Sequence, residues 1–222
     1  MSTPLPRAGR PGQLNNPSNR PTDRPMPTAT AVLVMVIALA VLWFSELVDQ
    51  ISGNRLDNYG IHARELDGLP EIYSAPLLHG GWDHLIANSG PFFVLGLLVL
   101  LGGAVRWLVA TLVSVTVSGL TAWLLTPVNT IILGASGLIF GWLTYLLVRG
   151  LLTRRPVQVI IGIVVLVIYG GMIWGVLPGA AGISWQAHLG GAIGGILAAW
   201  LLHRRRAAAG TASQTTSYAR RR

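Results

Sequence analysis

"LGASGLIFGWLTYLLVR" (133–149) is an apolar run interrupted only by small and hydroxyl residues, and it carries no charge before Arg149. Upstream, the nearest charged residue is Arg106. A helix on this stretch is long enough to enter a bilayer, which takes about 20 residues to cross. Ser136 would then sit inside the membrane. Either it is a small residue that lets two helices touch, or it is a nucleophile.

The rest of the chain decides the setting. It has 222 residues, of which 52% are hydrophobic and 11% charged, with mean hydropathy +0.57. Soluble domains carry about 25% charged residues. The chain reads as an all-α, polytopic membrane protein. Six spans are predicted, at about 29–48, 82–104, 107–126, 130–149, 156–177 and 184–202. The loop between the first two is too polar to cross and is expected on the membrane surface. Residues 1–28, with seven prolines, read as a disordered cytoplasmic tail. Residues 29–202 form the membrane domain, and 203–222 an arginine-rich cytoplasmic tail.

All sixteen basic residues are arginines. Fourteen fall on the side that carries both termini, and two, Arg55 and Arg64, fall in the first long loop. The positive-inside rule therefore places both termini in the cytoplasm. Trp43, Trp82, Trp107, Trp174, Trp185 and Trp200 fall near span ends, as an aromatic belt would. The basic C-tail suits anionic lipid head groups, and no nucleic-acid partner is expected.

The second, fourth and sixth spans descend from the same face, and each carries polar groups in its outer half. His84 and Asn88 are spaced i, i+4 and share a helix face. His188 lies about four residues into its span, roughly 6 Å deep at 1.5 Å per residue. Polar groups at such depth face a bundle interior or a water cavity. Pairs of glycines spaced by four, Gly137/Gly141, Gly190/Gly194 and Gly191/Gly195, let helix backbones approach closely. A packing role for Ser136 and a catalytic role therefore call for the same arrangement.

A serine nucleophile needs a base. All eight acidic residues lie at or before Asp83, so no carboxylate completes a triad, and Asp83 itself reads as the N-cap of the second span. Ser136 and His188 are expected to act as a dyad. Asn88, His84 and the Ser136 N–H are the expected oxyanion donors, with a helix start near Ser136 adding its dipole. With no cysteine and no carboxylate at that depth, neither a metal nor a cofactor is expected.

These residues together resemble the rhomboid family of intramembrane serine proteases over about 29–202. "HGGWDHLIAN" is similar to the family's H-x4-H-x3-N and contributes His79, His84 and Asn88. "GASGLIFG" is similar to G-x-S-G-x3-G, with Gly134, Ser136, Gly137 and Gly141. "AHLGGAIGG" is similar to A-H-x2-G-x3-G, with His188, Gly191 and Gly195. The resemblance implies a six-helix rhomboid-like bundle, a Ser136–His188 dyad, and single-pass transmembrane substrates cut near their outer ends. It also implies a movable fifth helix and a cap at about 178–184. The chain departs from the family at Phe140, where many members carry a tyrosine, and in lacking a Trp-Arg pair in the first loop. Two other classes share these polar groups: an inactive rhomboid-fold protein that binds transmembrane clients, and a small transporter. Retention of both Ser136 and His188 speaks against the first, and the lack of internal repeats against the second.

Overall fold

The computed structural model describes residues 25–179, 182 and 184–219, the last fifteen by backbone alone. Most of the predicted N-tail, part of the predicted cap and the end of the C-tail lie outside the described residues. Among the described residues, six α-helices follow one another: α1 (Thr28–Ser52), α2 (Trp82–Leu101), α3 (Ala104–Leu125), α4 (Ser136–Thr153), α5 (Pro156–Tyr169) and α6 (Trp185–Ala219). A 3-10 segment, Gly170–Val176, prolongs α5. Among the described residues, α1 to α4 and α5 with its extension are long and apolar enough to cross a membrane.

Local chemistry sets the helix ends. Gly53 closes α1 in the left-handed region at φ 75° and returns its N–H to Asp49 and Gln50, as a glycine just past a helix does. Pro156 opens α5, where its missing N–H costs nothing. Asp83 is not an N-cap. Gly81 holds that place at φ 109°, and no side chain bonds the end of α2. Asp83 instead lies in the first turn, where a negative charge still complements the helix dipole.

α4 starts at Ser136, six residues later than the predicted span. The intervening chain holds a short strand and a turn. Strand β2 (Ile131–Ile132) pairs antiparallel with β1 (Ile61–His62) in the first loop, with Ile61 opposite Ile132. β-branched residues in an apolar run support strand as readily as helix. At its other end, α6 continues past the predicted boundary at 202.

The first loop is a folded unit of 3-10 turns around β1. It is tied to α3 from both sides. Trp123 Nε1 donates to the Glu65 carbonyl at 2.8 Å, and Arg64 Nε donates to the Leu124 carbonyl at 3.2 Å. A tryptophan and an arginine thus still anchor the loop, but they come from two different elements. The loop reaches the centre of the protein through the Gly134 N–H, which donates to the Ala75 carbonyl at 2.9 Å.

Inside the loop, His62 Nδ1 lies 2.8 Å from Glu71 Oε2, which also accepts the His62 N–H. The hydrogen bond to Glu71 raises the His62 pKa above its ordinary value of about 6.5. A group with a raised folded pKa contributes stability that is complete below the unfolded value. That stability is lost as pH rises through the folded value. Hydrogen exchange in the loop should therefore quicken as pH climbs from about 6.5, after correction for the intrinsic pH dependence. His62→Gln should remove the extra dependence. An unchanged profile in that variant would discard the ion pair as its cause.

α6 is the hub, packed chiefly on α4 and α3. Its two glycine pairs face different neighbours. A Cβ on Gly191 or Gly195 would strike the carbonyls of Gly137 or Gly141 on α4, whereas one on Gly190 or Gly194 would strike Thr121 or Ser114 on α3. The first pair brings spans four and six together as expected, and the second binds α6 to α3. Bare glycine faces permit this approach.

Candidate active site

Ser136 is the first residue of α4, after Ala135 at the N-cap. The turn before it depends on Gly134, at φ 120°. A side chain there is strained in this region. It also has no room, since a Cβ would lie 2.6 Å from His84 Cε1. His79, 1% exposed, supports the same turn, with Nε2 3.5 Å from the Ala135 N. As the start of a helix, Ser136 and the two residues after it hold N–H groups with no intrahelical acceptor.

His188 is the fourth residue of α6 and is buried. The helix entry is held by Ser184. Its Oγ accepts from the Ala187 N–H at 3.3 Å, and its carbonyl accepts from the His188 N–H at 3.1 Å. With Gly191 against Gly137, this brings His188 Nε2 to 2.8 Å from Ser136 Oγ. On the other side of the ring, Nδ1 lies 2.9 Å from the Gly175 carbonyl. A carbonyl only accepts, so Nδ1 carries a proton, and in the neutral ring Nε2 is left as the acceptor for Ser136. Phe140, one turn after Ser136, stacks on the imidazole at 4.1 Å between centroids and 10° between planes. The ring contact therefore needs no hydroxyl.

Asn88 and His84 come from one face of α2. Asn88 is buried, and its Nδ2 donates to the His84 carbonyl at 3.0 Å. An amide nitrogen has two hydrogens, so one remains for another acceptor. The His84 ring stands edge-on to His79 at 5.2 Å. Ser136, His188, His84 and Asn88 all line one cavity of about 760 Å³ beneath the first loop. His79 lies behind this wall, not in it. Gly137, Gly141, Gly191 and Gly195 supply the close approach and no wall chemistry.

The arrangement has the parts for acyl transfer: a hydroxyl within hydrogen-bond distance of an imidazole, and donors across a cavity from it. Two participants were not expected from the sequence. Gly175 orients the imidazole through a backbone carbonyl, for which no side chain gives a signal. Ser118, on α3, donates to the Ala187 carbonyl at 2.8 Å and lines the cavity. It lies on the third span, whereas the expected polar level was drawn from spans two, four and six.

Comparison with known proteins gives a consistent result. The family model described as "Rhomboid domain" matches residues 67–205. An uncharacterized protein of Mycobacterium tuberculosis is 44% identical over 201 residues, covering 86% of this chain and 82% of its own. One from Mycobacterium bovis matches equally. One from Mycobacterium leprae is 41% identical over 189 residues, covering 82% of this chain and 75% of its own.

Proposed function

The chain belongs to the rhomboid family, and on that premise we propose that it is an intramembrane serine endopeptidase that cuts single-pass transmembrane proteins near their extracytoplasmic ends. The observation that carries the reading is the 2.8 Å contact between His188 Nε2 and Ser136 Oγ on the wall of a large cavity. In this reading His188 Nε2 takes the Oγ proton while Oγ bonds the peptide carbonyl carbon. The carbonyl oxygen becomes an oxyanion and is met by Asn88 Nδ2–H, His84 and the Ser136 N–H. The C–N bond then breaks, and the leaving amine takes the proton from His188. Water, activated by the same imidazole, attacks the acyl-enzyme and restores the Ser136 hydroxyl. The Gly175 carbonyl keeps the proton on Nδ1 throughout, the orienting task that a carboxylate performs in a triad.

The test is cleavage by the purified protein, reconstituted in liposomes with a single-pass model substrate. One cut near the outer end of the substrate helix is expected. An intact substrate that nevertheless co-purifies with the protein would favour a client-binding role instead.

Asn88→Ala should lower turnover by about 10²–10³-fold, the usual effect of one lost oxyanion donor, with His84 and a backbone N–H remaining. Initial rates at saturating substrate measure this. A rate equal to that of the unmodified protein would remove Asn88 from the site.

The protein is a multi-pass membrane protein. We place it in a bacterial plasma membrane with both termini cytoplasmic, on the support of the fourteen-to-two arginine distribution. A cysteine at Asn58 should react with an impermeant thiol reagent in intact cells, and one at Thr153 should not. The chain's lack of cysteine makes the background clean. The reverse pattern would turn the cavity toward the cytoplasm, and the outer-end cleavage would go with it.

A further inference from the structure

A hydroxyl outside the dyad touches the neighbours of both Ser136 and His188. Ser118 is buried on α3. Its Oγ–H donates to the carbonyl of Ala187 at 2.8 Å, one residue before His188. The same Oγ fills the space that a Cβ on Gly137 would need, one residue after Ser136. It is therefore wedged between the first turn of α4 and the first turn of α6.

The need for such a group follows from how α6 is held. Glycine faces at Gly190, Gly191, Gly194 and Gly195 set how near the helix axes come. Dispersion contacts of this kind are weak individually and have little directionality, so they leave the axial position of α6 loosely defined. Directional bonds set it instead. Thr144 Oγ1 lies 2.8 Å from the Ala192 carbonyl, but it also lies 3.1 and 3.2 Å from the carbonyls of Phe140 and Gly141. Its single hydrogen has three acceptors within reach. Ser118 has one acceptor, and that acceptor is on the turn that carries His188.

We propose that Ser118 is a positioning residue for the reaction. Its hydrogen bond fixes the first turn of α6 against α4, so that His188 Nε2 meets Ser136 Oγ. The proposal rests on the protease reading given above. Ser114 supplies the comparison. It lies one turn away on the same helix, is fully buried, and packs on Gly141 and Gly194, yet its Oγ has no hydrogen-bond partner among the described residues.

The experiment compares full-length wild type, Ser118→Ala, Ser118→Cys and Ser114→Ala in liposomes, by kcat and KM on the model substrate. Misplacing reacting groups by about 1 Å costs on the order of 10² in rate. Ser118→Ala should accordingly lose about 10–100-fold in kcat with KM within about twofold. Ser118→Cys keeps the bulk and a weak donor, and should recover part of that loss. It also carries the test if the alanine variant does not fold. Ser114→Ala should keep its kcat. A second readout does not depend on turnover: the side-chain 15N resonances of His188 should shift or broaden in Ser118→Ala and not in Ser114→Ala. Three results would overturn the proposal: unchanged kcat and His188 resonances in Ser118→Ala, an equal loss in Ser114→Ala, or a loss confined to KM. If the wild type cuts nothing, the protease reading fails, and the His188 resonances still decide whether Ser118 positions the ring.

Discussion

Ser136→Ala should reduce cleavage of a transmembrane substrate on the order of 10⁴–10⁶-fold while leaving the fold in place. Removing the nucleophile of a serine hydrolase costs rates in this range, and the residue comes from transition-state binding alone. Among the described residues, His188 Nε2 bonds only the Ser136 hydroxyl, so no second nucleophile is poised to replace it. The structural cost is small. Ser136 is half-buried, and a single hydrogen bond is worth about 1 kcal/mol net. His188→Ala should lose activity to a similar degree, but with a larger drop in thermal stability, because it also removes the stacking surface of Phe140. Rates in liposomes and thermal unfolding in detergent measure both quantities. Substantial proteolysis by purified Ser136→Ala protein would sink the dyad.

Gly191→Ala should lower turnover by about 10²-fold or more and reduce stability together with it. The added Cβ would meet the Gly137 carbonyl, and the atoms in its way are backbone rather than a flexible side chain. α4 and α6 must then separate. Overpacking of this kind costs typically about 1–3 kcal/mol. The separation falls one residue from Ser136 on α4 and three from His188 on α6, where displacements near 1 Å already cost about 10² in rate. Gly90→Ala is the comparison, because a Cβ there meets nothing within 4 Å. It should keep its turnover, with at most a small loss of stability, because a side chain just before Pro91 is disfavoured in the α region. Equal activity of Gly191→Ala and Gly90→Ala would show that the dyad does not depend on the glycine seam.

The membrane helices were legible because the bilayer imposes one strong rule. Backbone polar groups must be satisfied within a spanning segment, so long apolar runs read directly as helices. The contact between Ser136 and His188 was legible because both are polar residues near the starts of apolar spans four and six. The start of α4 was harder to read. Ile131 and Ile132 are apolar and suit either a helix or a strand, and their partner strand lies some seventy residues upstream in a polar loop. The division of α6's glycines between α3 and α4 depends on packing around the helix, which spacing alone does not assign. Gly175 acts through its carbonyl, and every residue has one. Ser118 is an ordinary serine in an apolar span until α6 is placed against it.

In the proposed reaction His188 activates Ser136 as a nucleophile. Reaction of the detergent-solubilised protein with a fluorophosphonate, mapped by mass spectrometry, tests it most directly. One modified residue is expected, Ser136, with the label lost in Ser136→Ala and strongly reduced in His188→Ala. An unmodified wild type, a label on another residue, or undiminished labelling in His188→Ala would contradict it.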